Sequence, residues 1–441
     1  MNDFRFAQSL TQKDIFKFWI PLAATWLMMS LEGPYLAALI ARLPDPKFNL
    51  AAYGVAFSLA LIIEAPVIMM MSASTALVKD YKSFLALRKF NYRLSLALTV
   101  AMIVFSIPSV FYFIAEDLIG LPNNVAYLTH LSIIILIPWP GAIGFRRFYQ
   151  GILIRNNQTR FVAFGTLIRL ISMSAVALLL FLFTQIPGAA VGAAALSSAV
   201  IMEALASRIM VSSLLKKIKS DAFKNEDEIE LSQKSIFTFY YPLALTSILT
   251  LGVQPFVTFF VGQSRNALES FAVLPVVTSF VFIFRGLGLS YQEVVIALIG
   301  DKFEYFKQIK SFAVKLASFT AGTLMIITFT PLRDFWLESV SGLSSSLAEF
   351  AHLPLMIMSF FPAMTVLISF QRAILVKNKH TKTITIGTAT EFVSIIIVLA
   401  ICIKYFDLVG AVAATISFVI GRMAACAYLL PPVVKALNIK S

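Results

Sequence analysis

Charge is what this sequence has least of: Asp, Glu, Lys and Arg make up 13% of its 441 residues, about half the roughly 25% usual in soluble domains. Apolar residues make up 59%, in runs of twenty or more that no set of small cores could bury, so a water-soluble fold is excluded. There are two cysteines, Cys402 and Cys426. Both fall in apolar runs, which supports neither a disulfide framework nor a metal site. Among the three histidines, His130 and His352 stand alone near the outer ends of apolar segments and read as structural. Walker, HExxH, CxxC and nucleophile-elbow patterns are all missing, so nothing supports ATP-driven transport or hydrolysis. The chain is expected not to be an enzyme and to carry no cofactor. A net charge of +13 would suggest nucleic acid in a soluble protein, but no nucleic-acid motif accompanies it, and none is expected as a partner.

What is there is a series of membrane-spanning helices. A span needs roughly 20 mostly apolar residues, and twelve segments qualify, at about 15–42, 50–77, 94–115, 124–153, 161–184, 188–215, 236–262, 268–299, 311–332, 347–375, 383–404 and 408–431. The first is too long and too lightly basic at its front for a cleaved signal peptide. Orientation follows from Lys and Arg counted in alternate connections. One set of connections, with both termini, holds 23 of them, while the other holds five, Arg42, Lys47, Arg265, Arg333 and Lys404. Both termini are therefore expected in the cytoplasm, in an inner (plasma) membrane. The polar stretch before Lys234, with Glu226, Asp227, Glu228 and Glu230, reads as a linker (218–234) between an N-terminal bundle (1–217) and a C-terminal bundle (235–441) of six helices each.

The halves repeat one another. Ile15-Phe16-Lys17-Phe18-Trp19-Ile20-Pro21-Leu22-Ala23 lies 221 residues before Ile236-Phe237-Thr238-Phe239-Tyr240-Tyr241-Pro242-Leu243-Ala244, and the same offset carries Pro34 onto Pro255. Phe148-Tyr149-Gln150-Gly151-Ile152-Leu153-Ile154-Arg155-Asn156 matches Phe370-Gln371-Arg372-Ala373-Ile374-Leu375-Val376-Lys377-Asn378 at an offset of 222. Six-helix repeats insert with the same orientation, which puts their pseudo-twofold axis along the membrane normal, an architecture typical of transporters. A proline removes the helical partner of the carbonyl four residues earlier. Pro34 thus frees Ser30 and Pro255 frees Leu251, giving either a bending helix or a static kink.

Charges inside the spans cost about 2.5–3.5 kcal/mol each at mid-membrane and normally face a cavity or pair. Eight are basic, Arg146, Arg147, Arg169, Arg208, Arg285, Lys315, Arg372 and Arg422, and five acidic, Glu32, Glu64, Glu203, Glu391 and, near a helix end, Glu293. The surplus points to an interior completed by an anion. Arg208, Lys315 and Arg372 lie within snorkelling reach of the cytoplasmic interface. The substrate candidates are therefore Arg285, Arg169, Arg422, Arg146, Arg147 and Gln150. Arg146 and Arg147 diverge by about 100 degrees, so only one of them shares a target with Gln150. Arg169 and Glu391 are repeat-equivalent with opposite sign and pair either across the axis or each within its own half. Glu32, Glu64 and Glu391 are the candidates for ion coupling, a role for which a proton needs one carboxyl and sodium several oxygens. Counting from Asp301 at 1.5 Å per residue places Arg285 about 24 Å deep, beside Gly286 and Gly288, which leave room for close backbone approach or for a ligand.

Twelve spans in two parallel repeats, with a proline in the first and seventh, resemble the multidrug/oligosaccharidyl-lipid/polysaccharide exporter (MOP) superfamily. This includes the multidrug and toxic compound extrusion (MATE) carriers. Within it, Leu50-Ala51-Ala52-Tyr53-Gly54-Val55-Ala56-Phe57-Ser58-Leu59, Tyr241-Pro242-Leu243-Ala244-Leu245, Gly151-Ile152-Leu153-Ile154-Arg155 and Ser359-Phe360-Phe361-Pro362 resemble the progressive ankylosis protein family. The resemblance implies a V-shaped pair of bundles that rock between two access states and, for the ankylosis branch, export of small anions such as pyrophosphate, citrate or nucleotides. The expectation is a monomeric secondary exporter of an organic or phosphorylated anion, working with a proton or sodium ion in a lipid bilayer. The alternatives are a proton- or sodium-coupled efflux carrier for cationic drugs, a flippase for lipid-linked precursors, and a membrane scaffold without transport.

Overall fold

Hydrocarbon offers a backbone amide no hydrogen bond, so an apolar chain satisfies its peptide groups within helices. The computed structural model describes residues 10–156, 158–222, 231–300, 302–378 and 380–438. All regular structure there is helical, apart from an isolated bridge between Arg265 and Val409. The first half comprises α1 (Gln12–Ser30), α2 (Glu32–Ile40), α3 (Pro46–Glu64), α4 (Met70–Leu77), α5 (Tyr81–Phe105), α6 (Pro108–Tyr112), α7 (Asn123–Ile135), α8 (Trp139–Arg155), α9 (Thr159–Phe183), α10 (Gly188–Met210) and α11 (Ser212–Ala222). The second comprises α12 (Gln233–Gly262), α13 (Ala267–Leu289), α14 (Tyr291–Leu298), α15 (Phe306–Phe329), α16 (Leu332–Asp334), α17 (Ser345–Met358), α18 (Phe361–Lys377), α19 (Thr381–Lys404) and α20 (Gly410–Asn438). The acidic run of the expected linker lies outside the described residues.

Among the described residues, ten helical segments are long and apolar enough to cross a membrane, or eleven if α5 and the segment Pro108–Leu118, bent by 76° from it, count as one. Twelve were expected. The first expected span falls short because α1 carries Lys13, Asp14 and Lys17 in its opening turns and ends at Ser30, with α2 starting at Glu32. This interruption at Leu31 falls where Pro34 leaves the Ser30 carbonyl without a helical donor. The repeat-related Pro255 behaves differently, since α12 runs through both Pro242 and Pro255 as one helix.

The repeat extends to details that the sequence did not single out. Asp45 and Asn266, 221 residues apart, both take a left-handed conformation (φ 51°) just before α3 and α13. Phe113–Leu118 and Phe335–Val340, 222 apart, are both π-helical turns. The amide of Ala189, in the first turn of α10, donates to Asn49 Oδ1 at 2.9 Å, and the equivalent amide of Ala411 donates to Ser270 Oγ at 2.9 Å. A first-turn amide has no partner within its own helix, and both halves satisfy it from the same place.

Two compact units result, and they are not cut at the repeat boundary. Unit 1 comprises Met1–Ala38 and Ser264–Ser441; unit 2 is Leu39–Gln263. The leading helix of each half therefore packs with the following helices of the other half. In unit 1, Gln12 Nε2 donates to the Gln308 carbonyl at 2.8 Å and Trp19 Nε1 to Ser290 Oγ at 2.8 Å. In unit 2, the repeat partners Gln233 and Tyr240 donate to the carbonyls of Ala86 at 2.9 Å and Pro66 at 2.5 Å.

Candidate functional site

Each unit gathers most of its span-interior charges into one cluster, built from repeat-equivalent helices. In unit 2, Arg146 and Gln150 are one turn apart on α8, which puts them on the same face. Both reach Glu203 on α10: Arg146 Nη1 donates to Oε2, and Gln150 Nε2 donates to Oε1 at 2.9 Å. Arg169, on α9, comes to 3.8 Å from the same carboxylate. Gly165 on α9 faces the same carboxylate, its Cβ position lying 3.5 Å from Glu203 Cγ, an ordinary contact distance. Arg147 diverges as its position requires. It lies within electrostatic reach of Glu203 and Glu64, its Nη1 is 3.7 Å from the sulfur of Met71, and its buried Nε has no hydrogen-bond partner. Glu64, buried at the end of α3, accepts from Trp139 Nε1 at the start of α8.

Unit 1 holds the counterpart on α18, α19 and α20. Arg422 Nε donates to Glu391 Oε1 at 2.7 Å, while Arg372 Nη2 lies 3.9 Å from Oε2 and donates to Thr388 Oγ1 at 3.1 Å. Arg372 is thus turned towards the cluster. Arg285, on α13, has its Cζ 4.7 Å from the centre of the Phe361 ring and 5.7 Å from that of Phe282. The Cζ of Arg422 lies 4.8 Å from the same Phe361 ring. No ion pair within 4 Å joins Arg285 to a described carboxylate, and its buried Nε is unpartnered. Of the two glycines beside it, Gly288 serves helix packing, since a Cβ there would meet Val366 of α18 at 3.0 Å, whereas one on Gly286 would make only an ordinary contact of 3.5 Å with the Trp26 carbonyl of α1.

The expected residues therefore divide cleanly. Arg146, Arg147, Gln150 and Arg169 come together with Glu64 and Glu203; Arg285 and Arg422 come together with Glu391. Arg169 and Glu391 each have a partner within their own unit. Glu32 is buried at the first position of α2, beside the helix interruption. Three features had at most a partial signal in the sequence: Trp139 as the donor to Glu64, Phe361 as the ring shared by two guanidinium groups, and Glu203 as the acceptor from Arg146 and Gln150 with Arg169 3.8 Å away. The repeat held a partial clue to the last, since Gln150 aligns with Arg372 and Arg169 with Glu391. The histidines make local contacts, His130 Nε2 with the Ser106 carbonyl at 2.7 Å and His352 Nε2 with Asp334 at 2.8 Å. Among the described residues, no three His, Cys, Asp or Glu side chains group closely enough to hold a metal ion.

The arrangement of helices is shared with solved structures. The fold is that of the MOP-superfamily transporters, multi-pass proteins of the membrane. The chain superposes with a TM-score of 0.72 on an inward-facing multidrug resistance MATE family transporter of that superfamily, at 15% identity over 94% of this chain and 95% of the other. Against the lipid II flippase MurJ in an inward closed conformation the TM-score is 0.67, at 18% identity over 96% and 90%. A MOP superfamily transporter from Pyrococcus furiosus, described as having a binding pocket of reverse polarity, gives 0.59 at 15% identity over 97% and 93%. At these identities the likeness is one of fold. No family model and no curated protein matches the chain.

Proposed function

We propose that the protein is a secondary transporter that exports small organic or phosphorylated anions, of the size and charge of citrate, pyrophosphate or a nucleotide, by alternating access. The observation that carries this reading is the charge balance of the two clusters. Arg146, Arg147 and Arg169 outnumber Glu64 and Glu203, and Arg285, Arg372 and Arg422 outnumber Glu391, while Arg147 and Arg285 each lack an ion pair within 4 Å among the described residues. Charge inside a membrane protein is normally matched, and a planar guanidinium suits a carboxylate or phosphate. In this reading both termini face the cytoplasm of an inner (plasma) membrane. The short motifs resembling the progressive ankylosis family support the same substrate class. Glu64, Glu32 and Glu391 are the carboxyls available for coupling to a proton, the ion the reading favours, or to sodium. The test is counterflow of labelled citrate, pyrophosphate and nucleotides in proteoliposomes under imposed pH and sodium gradients; no counterflow with any of them removes the anion assignment.

A second reading rests on Glu64, a buried carboxyl held by one indole: a coupled exporter of cationic compounds. It predicts dye efflux that is lost in Glu64→Gln and retained in Arg285→Ala. The fold shared with a lipid II flippase also admits lipid-linked substrates, which a headgroup-bearing lipid in the same proteoliposomes would reveal.

A further inference from the structure

We infer that each unit carries its own anion seat, in which an internal carboxylate, Glu203 in unit 2 and Glu391 in unit 1, occupies the place of an incoming carboxylate or phosphate group. The inference rests on the anion reading above and deepens it. In both clusters the glutamate is held as a bound oxyanion would be held, by one close guanidinium and one distant one. Arg146 bonds Glu203 directly while Arg169 stands 3.8 Å away; Arg422 bonds Glu391 at 2.7 Å while Arg372 stands 3.9 Å away. In both clusters a third arginine, Arg147 or Arg285, has no ion pair within 4 Å among the described residues and an unpartnered buried Nε, the latter shared by Arg146 and Arg372. An unmade hydrogen bond on a buried charged group is costly, and each unit leaves one on such an arginine, although Arg147 on α8 and Arg285 on α13 are not repeat-equivalent.

The geometry defines a hand-over. An oxyanion entering unit 1 bonds Arg285 and takes Arg422 from Glu391; the two guanidinium carbons lie within 5 Å of the same Phe361 ring, which holds both. Glu391 then closes the 3.9 Å gap to Arg372. In unit 2 the anion bonds Arg147 and takes Arg146, and Glu203 closes on Arg169 while keeping Gln150. Each seat thus gives up one close internal ion pair, tightens one loose internal pair, and gains two pairs with the ligand. The ligand class is a small oxyanion with a bidentate carboxylate or phosphate edge, and the internal glutamates are its competitors. Removing a competitor tightens the seat.

The experiment is calorimetric titration of the full chain in nanodiscs with inorganic pyrophosphate and with citrate. The expected result is two sites per chain, reduced to one by Arg285→Ala or by Arg147→Ala. Glu391→Gln and Glu203→Gln should each tighten one site by about tenfold, the worth of one charge-assisted hydrogen bond. Each should also melt lower than the parent without ligand and recover more on adding pyrophosphate, because a ligand stabilises the state that binds it. If the single glutamate variants do not fold, the paired change Glu391→Gln with Arg372→Gln preserves net charge, keeps Arg285 and Arg422, and should likewise bind pyrophosphate more tightly. One site per chain, or glutamate variants that bind no better than the parent, overturns the inference even if counterflow is observed. Two sites that tighten as expected without any counterflow sustain it and count against the transport reading instead.

Discussion

Replacing Glu203 by leucine removes the acceptor that joins three helices of unit 2. The side chain is 1% exposed and that of Arg146 is 5% exposed, so solvent cannot take over the lost interactions. Removing one partner of a buried ion pair costs about 3–5 kcal/mol, because the surviving charge is stranded, and here Arg146 and Gln150 lose their acceptor while Arg169 loses an ion-pair partner at 3.8 Å. Arg146→Leu is a milder change: Glu203 keeps the 2.9 Å bond from Gln150 and the neighbouring Arg169, so the cost falls to about 1–3 kcal/mol. The double variant should cost clearly less than the two single costs added, since residues in one network do not act independently. A unit of this size shifts its melting midpoint by about 2–4 °C per kcal/mol, so Glu203→Leu should lower it by roughly 6–20 °C. The assay is thermal unfolding followed by tryptophan emission. Trp139, one of four tryptophans in the chain, is the only one in unit 2 and reports on that unit. A Glu203→Leu protein that melts no earlier than Arg146→Leu would refute the assignment of Glu203 as the common acceptor.

Arg285→Ala should abolish anion counterflow with little change in expression, whereas Arg285→Lys keeps part of it, since charge survives without the planar fork. Gly151→Val should prevent correct folding, because even a Cβ there would sit 1.8 Å from Ser74 Oγ and 2.3 Å from the Met71 carbonyl oxygen. Gly322→Ala, with nothing within 4 Å of the new Cβ, should raise the melting midpoint by the equivalent of about 0.5–1 kcal/mol; both are read by monodispersity and thermal melting. Trp139→Phe strands the Glu64 carboxylate and should cost about 1–3 kcal/mol in the same melt. In α16, between the long helices α15 and α17, the Arg333 side chain bonds Asp334 at 3.0 and 3.2 Å and, with help from His352, holds its carboxyl below the ordinary carboxylate range. Its stabilising contribution is therefore complete above the unfolded value of 3.8 and is lost as pH falls through the lower folded one. Asp334→Asn should consequently lower the melting midpoint at pH 6, with the difference from the parent vanishing as the pH is taken below 3.

Much of this molecule follows from the sequence alone, because hydrophobic length and repetition are properties of one dimension. A run of twenty apolar residues must become a helix in lipid wherever its neighbours lie, and an offset of 221 or 222 needs no coordinates to be seen. The divergence of Arg146 from Arg147 and the shared face of Arg146 and Gln150 follow likewise from helical pitch. Tertiary structure decided what depends on which helix stands beside which. Pitch says that Arg146 and Gln150 point together; only the packing of α8 and α9 against α10 says that they point at Glu203. Pro34 and Pro255 are equivalent in sequence, yet one accompanies a helix interruption and the other does not, because a freed carbonyl can be accommodated in more than one way by its surroundings. The exchange of the leading helices between units was likewise invisible, since the motif around Trp19 and Tyr240 records that two helices are alike and not which neighbours each one meets. Charge pairing is a contact between distant residues, and the sequence supplies the charges without their partners.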